Sequence, residues 1–230
     1  MAARKGTQTS KDQLSRWYDD ERKTTHEIAA LLGGFRLGDL HVNRIRPGGE
    51  TIRIVCASTR REQVELIREL FESYGYIKTT QKLDGKTMIS CYVNLSFDFL
   101  LPKQDSIELW VLADKRYGLQ FLAGYIDAEG SFGIDANGSG NMKIESHDVT
   151  ILHQLHEILS RVEIACPKPT LIKKKETAKQ KLNQDLWRLG VYRKSSLNWL
   201  CHFMEPLLRH KRRRMGMMTV WKNVEERLVR

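Results

Sequence analysis

Asp39 and Glu129 end two versions of one pattern, ninety positions apart in a chain of 230 residues. The later version reads Leu122-Ala123-Gly124-Tyr125-Ile126-Asp127-Ala128-Glu129-Gly130, and the earlier Leu32-Gly33-Gly34-Phe35-Arg36-Leu37-Gly38-Asp39-Leu40. Gly34 aligns with Gly124, Gly38 with Ala128 and Asp39 with Glu129. Small residues at i and i+4 share one helix face and let two backbones approach closely. Two such helices packed face to face bring Asp39 and Glu129 together at one end. That end is the negative pole of each helix dipole, and two acids there repel each other, so the arrangement calls for a cation between them. Carboxylate oxygens are the donors Mg²⁺ favours. Asp127 lies two residues from Glu129, on roughly the opposite helix face, and Leu37 stands at its counterpart position, so it reads as structural.

The elements that must hold these acids come in the same order twice. Residues 11 to 22 suit a helix with Leu14, Trp17 and Tyr18 on one face, and Thr24-Thr25-His26-Glu27 is a capping box that starts the first motif helix. Period-two runs at 41 to 46 and 51 to 57 flank Pro47-Gly48-Gly49. An amphipathic helix at 60 to 74 turns Val64, Ile67, Leu70 and Phe71 inward, with Gly75 as its C′ residue. Strands at 76 to 82 and 87 to 95 meet at Asp84-Gly85, a hairpin signal. Residues 96 to 112 read as helix and linker broken at Pro102. After the second motif come strands at 131 to 136 and 141 to 146, a helix over 148 to 162, and strands near 168 to 176 and 185 to 193. Helices follow, broken near Pro206. The expectation is an α+β protein of two tandem αββαββα repeats related by a pseudo-twofold, with the motif helices as the seam. The predicted division is an extension at 1–24, a first half at 25–116 and a second at 117–230.

Each half supplies a four-stranded antiparallel sheet with one face on helices and one left for charge. Alternation sets Arg53 opposite Ile52 and Ile54, and Ser90 and Tyr92 opposite Ile89 and Cys91. It likewise sets Lys143 and Glu145 opposite Met142 and Ile144, and Arg188 and Tyr192 opposite Trp187, Leu189 and Val191. Arg44, Arg46, Lys78, Lys82 and Lys86 add charge from the outer strands and turns. A twisted ribbon of this kind fits a major groove, where Arg and Lys read guanine edges or hold phosphates. Lys173-Lys174-Lys175 and Arg212-Arg213-Arg214 would contact phosphate without regard to sequence.

The formal charge of +10 favours a polyanionic partner. Its excess is greater beyond residue 118, where 19 basic residues face 12 acidic ones, than before it, where 19 face 16. Cys56, Cys91, Cys166 and Cys201 lack metal-type spacing and read as buried free thiols of a reducing compartment, hence intracellular: a prokaryotic cytoplasm or an organelle matrix. No signal peptide or membrane span is visible. The plain Met-Ala start argues against an excised intein. Residues 11 to 33 also look like the opening of a helix-turn-helix, but strand signals follow where a basic recognition helix is required.

The second motif, with Phe121 and Ser131-Phe132-Gly133 beside it, resembles the LAGLIDADG family of homing endonucleases, and the pair of motifs resembles its single-chain, two-motif type over roughly residues 25 to 215. The first copy departs at Arg36, where the family is usually apolar, and at Leu40, where it ends in glycine. The resemblance implies two sheets forming a DNA-binding saddle. It implies a monomeric, site-specific double-strand DNA endonuclease that cuts across the minor groove and leaves short 3′ overhangs. Mg²⁺ is the implied cofactor, with Mn²⁺ substituting and Ca²⁺ supporting binding only. The implied metal ligands are Asp39 and Glu129 with the Gly38 and Ala128 carbonyls. Basic residues near the family's site map onto Lys103 and Lys211, and a polar water-holding group onto His147. Intron RNA is a second partner if the chain is a splicing maturase, and a non-cutting DNA-binding regulator is the third reading.

Overall fold

The computed structural model describes residues 25–101, 105–174 and 184–228. The helix expected at 11 to 22, Thr24 of the capping box, the break at Pro102, Lys103 and Lys175 lie outside the described residues. The chain divides into two compact units, one comprising Met1–Ala29 and Leu40–Pro102, the other Ala30–Asp39 and Lys103–Arg230. Most of the first motif helix, α1 (Thr25–Gly38), therefore belongs with the second unit.

In the first unit, β1 (His41–Arg44), β2 (Ile52–Ser58), β3 (Tyr76–Gln81) and β4 (Thr87–Val93) form an antiparallel sheet in the order β1-β2-β4-β3. Helix α2 (Arg61–Phe71) crosses it. Val42, Ile52, Ile54, Cys56, Ile89, Cys91 and Val93 are buried on one sheet face, and Leu66, Ile67, Leu70 and Phe71 are buried on α2. A 3₁₀ turn at Leu95–Leu100 adds Phe97, whose ring meets Phe71 and Tyr74 edge-on at 5.9 and 5.2 Å. Val64, expected inward, is only half-buried, and the neighbouring Gln63 is buried. Gly85 takes φ +80 in the expected hairpin turn. Gly75 does not take the left-handed conformation of a C′ residue. It is glycine because a Cβ there would stand 2.0 Å from the Tyr92 carbonyl oxygen.

The second unit repeats the plan. After the short α3 (Leu109–Ala113) comes the second motif helix, α4 (Lys115–Glu129), capped by Asp114, whose Oδ1 accepts from the Arg116 backbone N–H at 2.7 Å. Strands β5 (Gly130–Ile134), β6 (Gly140–Ser146), β7 (Thr170–Lys173) and β8 (Leu186–Val191) pair in the order β5-β6-β8-β7, the same order as in the first unit. Helix α5 (Val149–Arg161) buries Ile151, Leu152, Leu155, Ile158 and Leu159, a single stripe at helical spacing. Helices α6 (Lys194–Met204) and α7 (Lys211–Leu228) complete the unit. Close approach is again set by glycine: a Cβ on Gly140 of β6 would lie 2.9 Å from Val220 of α7. Helix α4 is buried almost all round, from Gln120 to Ala128, which is why its sequence is apolar on every side rather than along a stripe. Cys56, Cys91 and Cys201 are free and buried, and Cys166 is free and half-buried. No helix among the described residues is long and apolar enough to cross a membrane.

Candidate active site

The α1 and α4 helices touch through their backbones. A Cβ on Gly34 would stand 2.1 Å from the Phe121 carbonyl oxygen, and one on Gly124 would stand 2.0 Å from that of Leu31. Real side-chain atoms do not fit there, so both positions are glycine for want of space. One turn on, a Cβ on Gly38 would lie 2.4 Å from the Ala128 methyl and 3.5 Å from Oε1 of Glu129. All four residues expected at the seam, Gly34, Gly38, Gly124 and Ala128, are therefore in it. Asp39 follows Gly38, with its backbone N–H still bonded to the Phe35 carbonyl at 3.2 Å.

The two acids feel each other. Burial, and then the Asp39 charge, push the Glu129 carboxyl up to about 7, against smaller opposing effects of Arg213 and His147. Asp127 is 2 % exposed and accepts the Arg209 and His210 backbone N–H groups at 2.8 and 3.1 Å. These are the last residues before α7, so Asp127 caps that helix from across the core, consistent with a structural role. Burial still raises its carboxyl to about 6, because it outweighs the two hydrogen bonds and the nearby Arg209 and Arg213.

Two further groups border Glu129. Tyr125 Oη donates to Ser146 Oγ at 3.0 Å, and the same oxygen accepts the Asp148 backbone N–H at 3.1 Å. This fixes the turn carrying His147, which is exposed and donates from Nδ1 to the Asp185 carbonyl at 2.8 Å. Lys211 opens α7 at an exposed position. It is Arg213, two residues on, that reaches the motif, donating from Nη2 to the Ala128 carbonyl at 3.2 Å. In the sequence Arg213 falls within Arg212-Arg213-Arg214, a run expected to contact phosphate from the surface. In the structure that run divides: Arg214 pairs with Glu205 at 2.6 Å, while Arg213 turns to α4.

A hard divalent cation fits this donor set. Asp39 and Glu129 are half-buried and interact electrostatically, and each directly follows a residue of the helix seam, Gly38 or Ala128, whose backbone carbonyl could serve as a further donor. No group of three or more His, Cys, Asp or Glu side chains converges on a possible metal position among the described residues. Water and backbone carbonyls would have to complete any coordination shell.

The polar sheet faces are partly as expected. On the first sheet Arg53 pairs in register with Tyr92, and Ser90 with Lys78, all on the face opposite Ile54. Tyr92 lies under Tyr76 at 5.8 Å between ring centroids. Ser90 departs from the expectation: it is 2 % exposed, covered by Arg53, which donates to its Oγ at 3.2 Å. Arg44 also departs, because its register partner is Ile52, placing it on the face of the apolar residues, where its guanidinium holds the Gly49 carbonyl at 3.2 Å. Arg46 lies in the turn beyond β1, and Lys82 and Lys86 flank the β3–β4 turn, Lys86 pairing with Asp84 at 3.2 Å. On the second sheet Arg188 Nε donates to Glu145 at 2.9 Å, and Lys143 pairs with Asp135 at 3.3 Å. The Tyr192 ring folds over Gly190, where a Cβ would strike it. Lys173 and Lys174 are exposed at the end of β7.

A family model described as a LAGLIDADG-like domain matches residues 117–202. Those residues, which run from α4 to α6, are similar to that domain. The LAGLIDADG fold extends over most of the chain by similarity to solved structures. The homing endonuclease I-DmoI, solved in complex with DNA and Ca, shares 14 % identity over 86 % of this chain and 100 % of its own, with a TM-score of 0.59. The homing endonuclease I-WcaI, bound to its DNA recognition sequence, shares 14 % over 90 % of this chain and 95 % of its own, at 0.53. The N-terminal LAGLIDADG domain of DUF199/WhiA shares 14 % over 79 % and 82 %, at 0.52. No curated protein matches the chain. The tandem αββαββα architecture with LAGLIDADG helices, expected from the sequence, is thus the one observed.

Proposed function

We propose that the chain is a site-specific double-strand DNA endonuclease working with a divalent cation at the Asp39–Glu129 pair. The observation that carries this is the seam: two helices pressed backbone to backbone so that two acids meet at its end. Proteins that need only a packed core do not gain from holding two carboxylates in mutual repulsion, whereas a cation site does. Bound there, Mg²⁺ or a similar ion supplies a water activated at neutral pH and charge to stabilise the leaving oxygen. The chain's own contribution is positional. Gly34 and Gly124 fix the spacing of the acids, and Asp127 and Arg213 fix α7 against the end of α4. The Nδ1–H bond to Asp185 leaves His147 Nε2 as the acceptor on a ring beside Glu129, suited to holding a water by its proton. Arg53, Lys78, Tyr92, Lys143 and Arg188 supply the sheet faces for the duplex, and Lys173 and Lys174 its phosphates.

Cleavage of a plasmid library carrying the DNA that flanks the gene tests the proposal. Linear product with short 3′ overhangs, dependent on Mg²⁺ or Mn²⁺ and absent with Ca²⁺, is expected. Tight binding to one sequence without cleavage in any of these ions would favour the second reading, a DNA-binding protein that keeps the fold without cutting. The Arg213 bond to the Ala128 carbonyl is the observation that favours that reading.

A further inference from the structure

We infer that Arg213 is a resident cation of the acidic site, one that a divalent ion must compete with and partly displace on binding. This rests on the proposed metal role of Asp39 and Glu129 and goes beyond it. The geometry is specific. Arg213 lies in the first turn of α7, and Asp127 fixes the start of that turn through the Arg209 and His210 backbone N–H groups. From there its Nη2 reaches the Ala128 carbonyl at 3.2 Å, an oxygen that would otherwise face a metal ion. The two links run in opposite directions, a carboxylate of α4 to the backbone just before α7 and a guanidinium of α7 to the backbone of α4. Arg213 is thereby held where its charge acts on Glu129 and Asp127. A fixed positive charge beside two carboxylates stabilises them without metal and, by the same electrostatics, opposes a second cation. Lys174, Lys211 and Arg212 are exposed, whereas Arg213 is half-buried. The Ala128 carbonyl is therefore already engaged by a cationic side chain.

The experiment is calorimetric titration of the DNA-free full-length protein with Ca²⁺ alone, for wild type, Arg213→Gln, Arg213→Lys and Glu129→Gln. Arg213→Gln removes the competing charge and should bind Ca²⁺ about tenfold more tightly than wild type, as expected for loss of one nearby unit charge. Arg213→Lys, which keeps the charge, should stay within about twofold of wild type. A merely structural Arg213 gives the opposite sign, since a loosened α4–α7 junction weakens the site and lowers the melting temperature along with Ca²⁺ affinity. Unchanged or weakened Ca²⁺ binding in Arg213→Gln, with wild-type binding abolished by Glu129→Gln, would overturn the inference and leave the metal site standing. Absence of Glu129-dependent binding in both wild type and Arg213→Gln would overturn both.

Discussion

Glu129 and Asp127 stand two residues apart, and burial raises both carboxyls, with different neighbours acting on each. For Asp127 the backbone N–H groups of Arg209 and His210 oppose the effect of burial, while for Glu129 the Asp39 charge adds to it. Both carboxyls are raised in the folded protein, Glu129 from 4.5 to about 7 and Asp127 from 3.8 to about 6. A raised carboxyl is stabilising relative to its ionised form only while protonated, so its cost sets in as pH rises from the unfolded value and is complete above the folded one. In metal-free protein the Glu129→Gln variant should therefore melt close to wild type at pH 4.5 and increasingly above it as pH rises to 7.5. Addition of Ca²⁺ at pH 7.5 should raise the wild-type melting temperature and not that of the variant. Melting curves that keep a constant separation over this range would show that Glu129 is not strained by its surroundings.

At the scale of elements, the α1–α4 seam sets the tolerance of the site. Gly124→Leu would force several methylenes against the Leu31 carbonyl, where even a Cβ finds 2.0 Å. Overpacking typically costs about 1–3 kcal/mol, and here relief by helix separation also spreads the acids. DNA cleavage should fall further than stability does, as read by cleavage rate beside urea unfolding. Gly190→Ala is the contrast: the obstacle there is the ring of the half-exposed Tyr192, which can swing outward, so its effect on unfolding should be much smaller. The seam and the order of elements were legible because they are local and periodic: paired small residues at i and i+4, alternation in strands, Asp-Gly at a turn. Gly75, Ser90 and Arg213 were not. Gly75 looked like a helix stop because helix ends favour glycine, yet its need for glycine comes from Tyr92, seventeen residues away and across the sheet. Ser90 lay at the correct parity for an open face, and only the placement of the Arg53 side chain buries it. Arg213 was hidden in an Arg run, where identical neighbours give no sign of which one turns inward. Each of these is decided by a partner far away in sequence.

At the scale of the molecule, the charge of +10 is carried by side chains that partly neutralise one another on the second sheet, through Arg188–Glu145 and Lys143–Asp135. Those pairs must loosen or rearrange for Arg188 and Lys143 to engage a polyanion, whereas Lys78, Lys173 and Lys174 are exposed as they stand. The log of the DNA-binding constant should fall linearly with log salt at roughly 0.9 per phosphate neutralised, with a slope corresponding to several phosphates. Lys173→Ala combined with Lys174→Ala should reduce that slope by about 1–2 without altering sequence preference, as measured by filter binding across a salt series. A slope near zero would remove electrostatics from the account of recognition.

On the proposed function, Asp39 and Glu129 together hold the ion that cuts DNA. The most direct measurement is cleavage by Asp39→Asn and Glu129→Gln on the same target, with DNA affinity measured in parallel in Ca²⁺. Each substitution removes one charge, keeps the shape of the side chain and leaves the seam intact. Double-strand cleavage should be lost in both variants, while the dissociation constant for the target changes by no more than a few-fold. Either variant cutting both strands at the wild-type rate would contradict the claim.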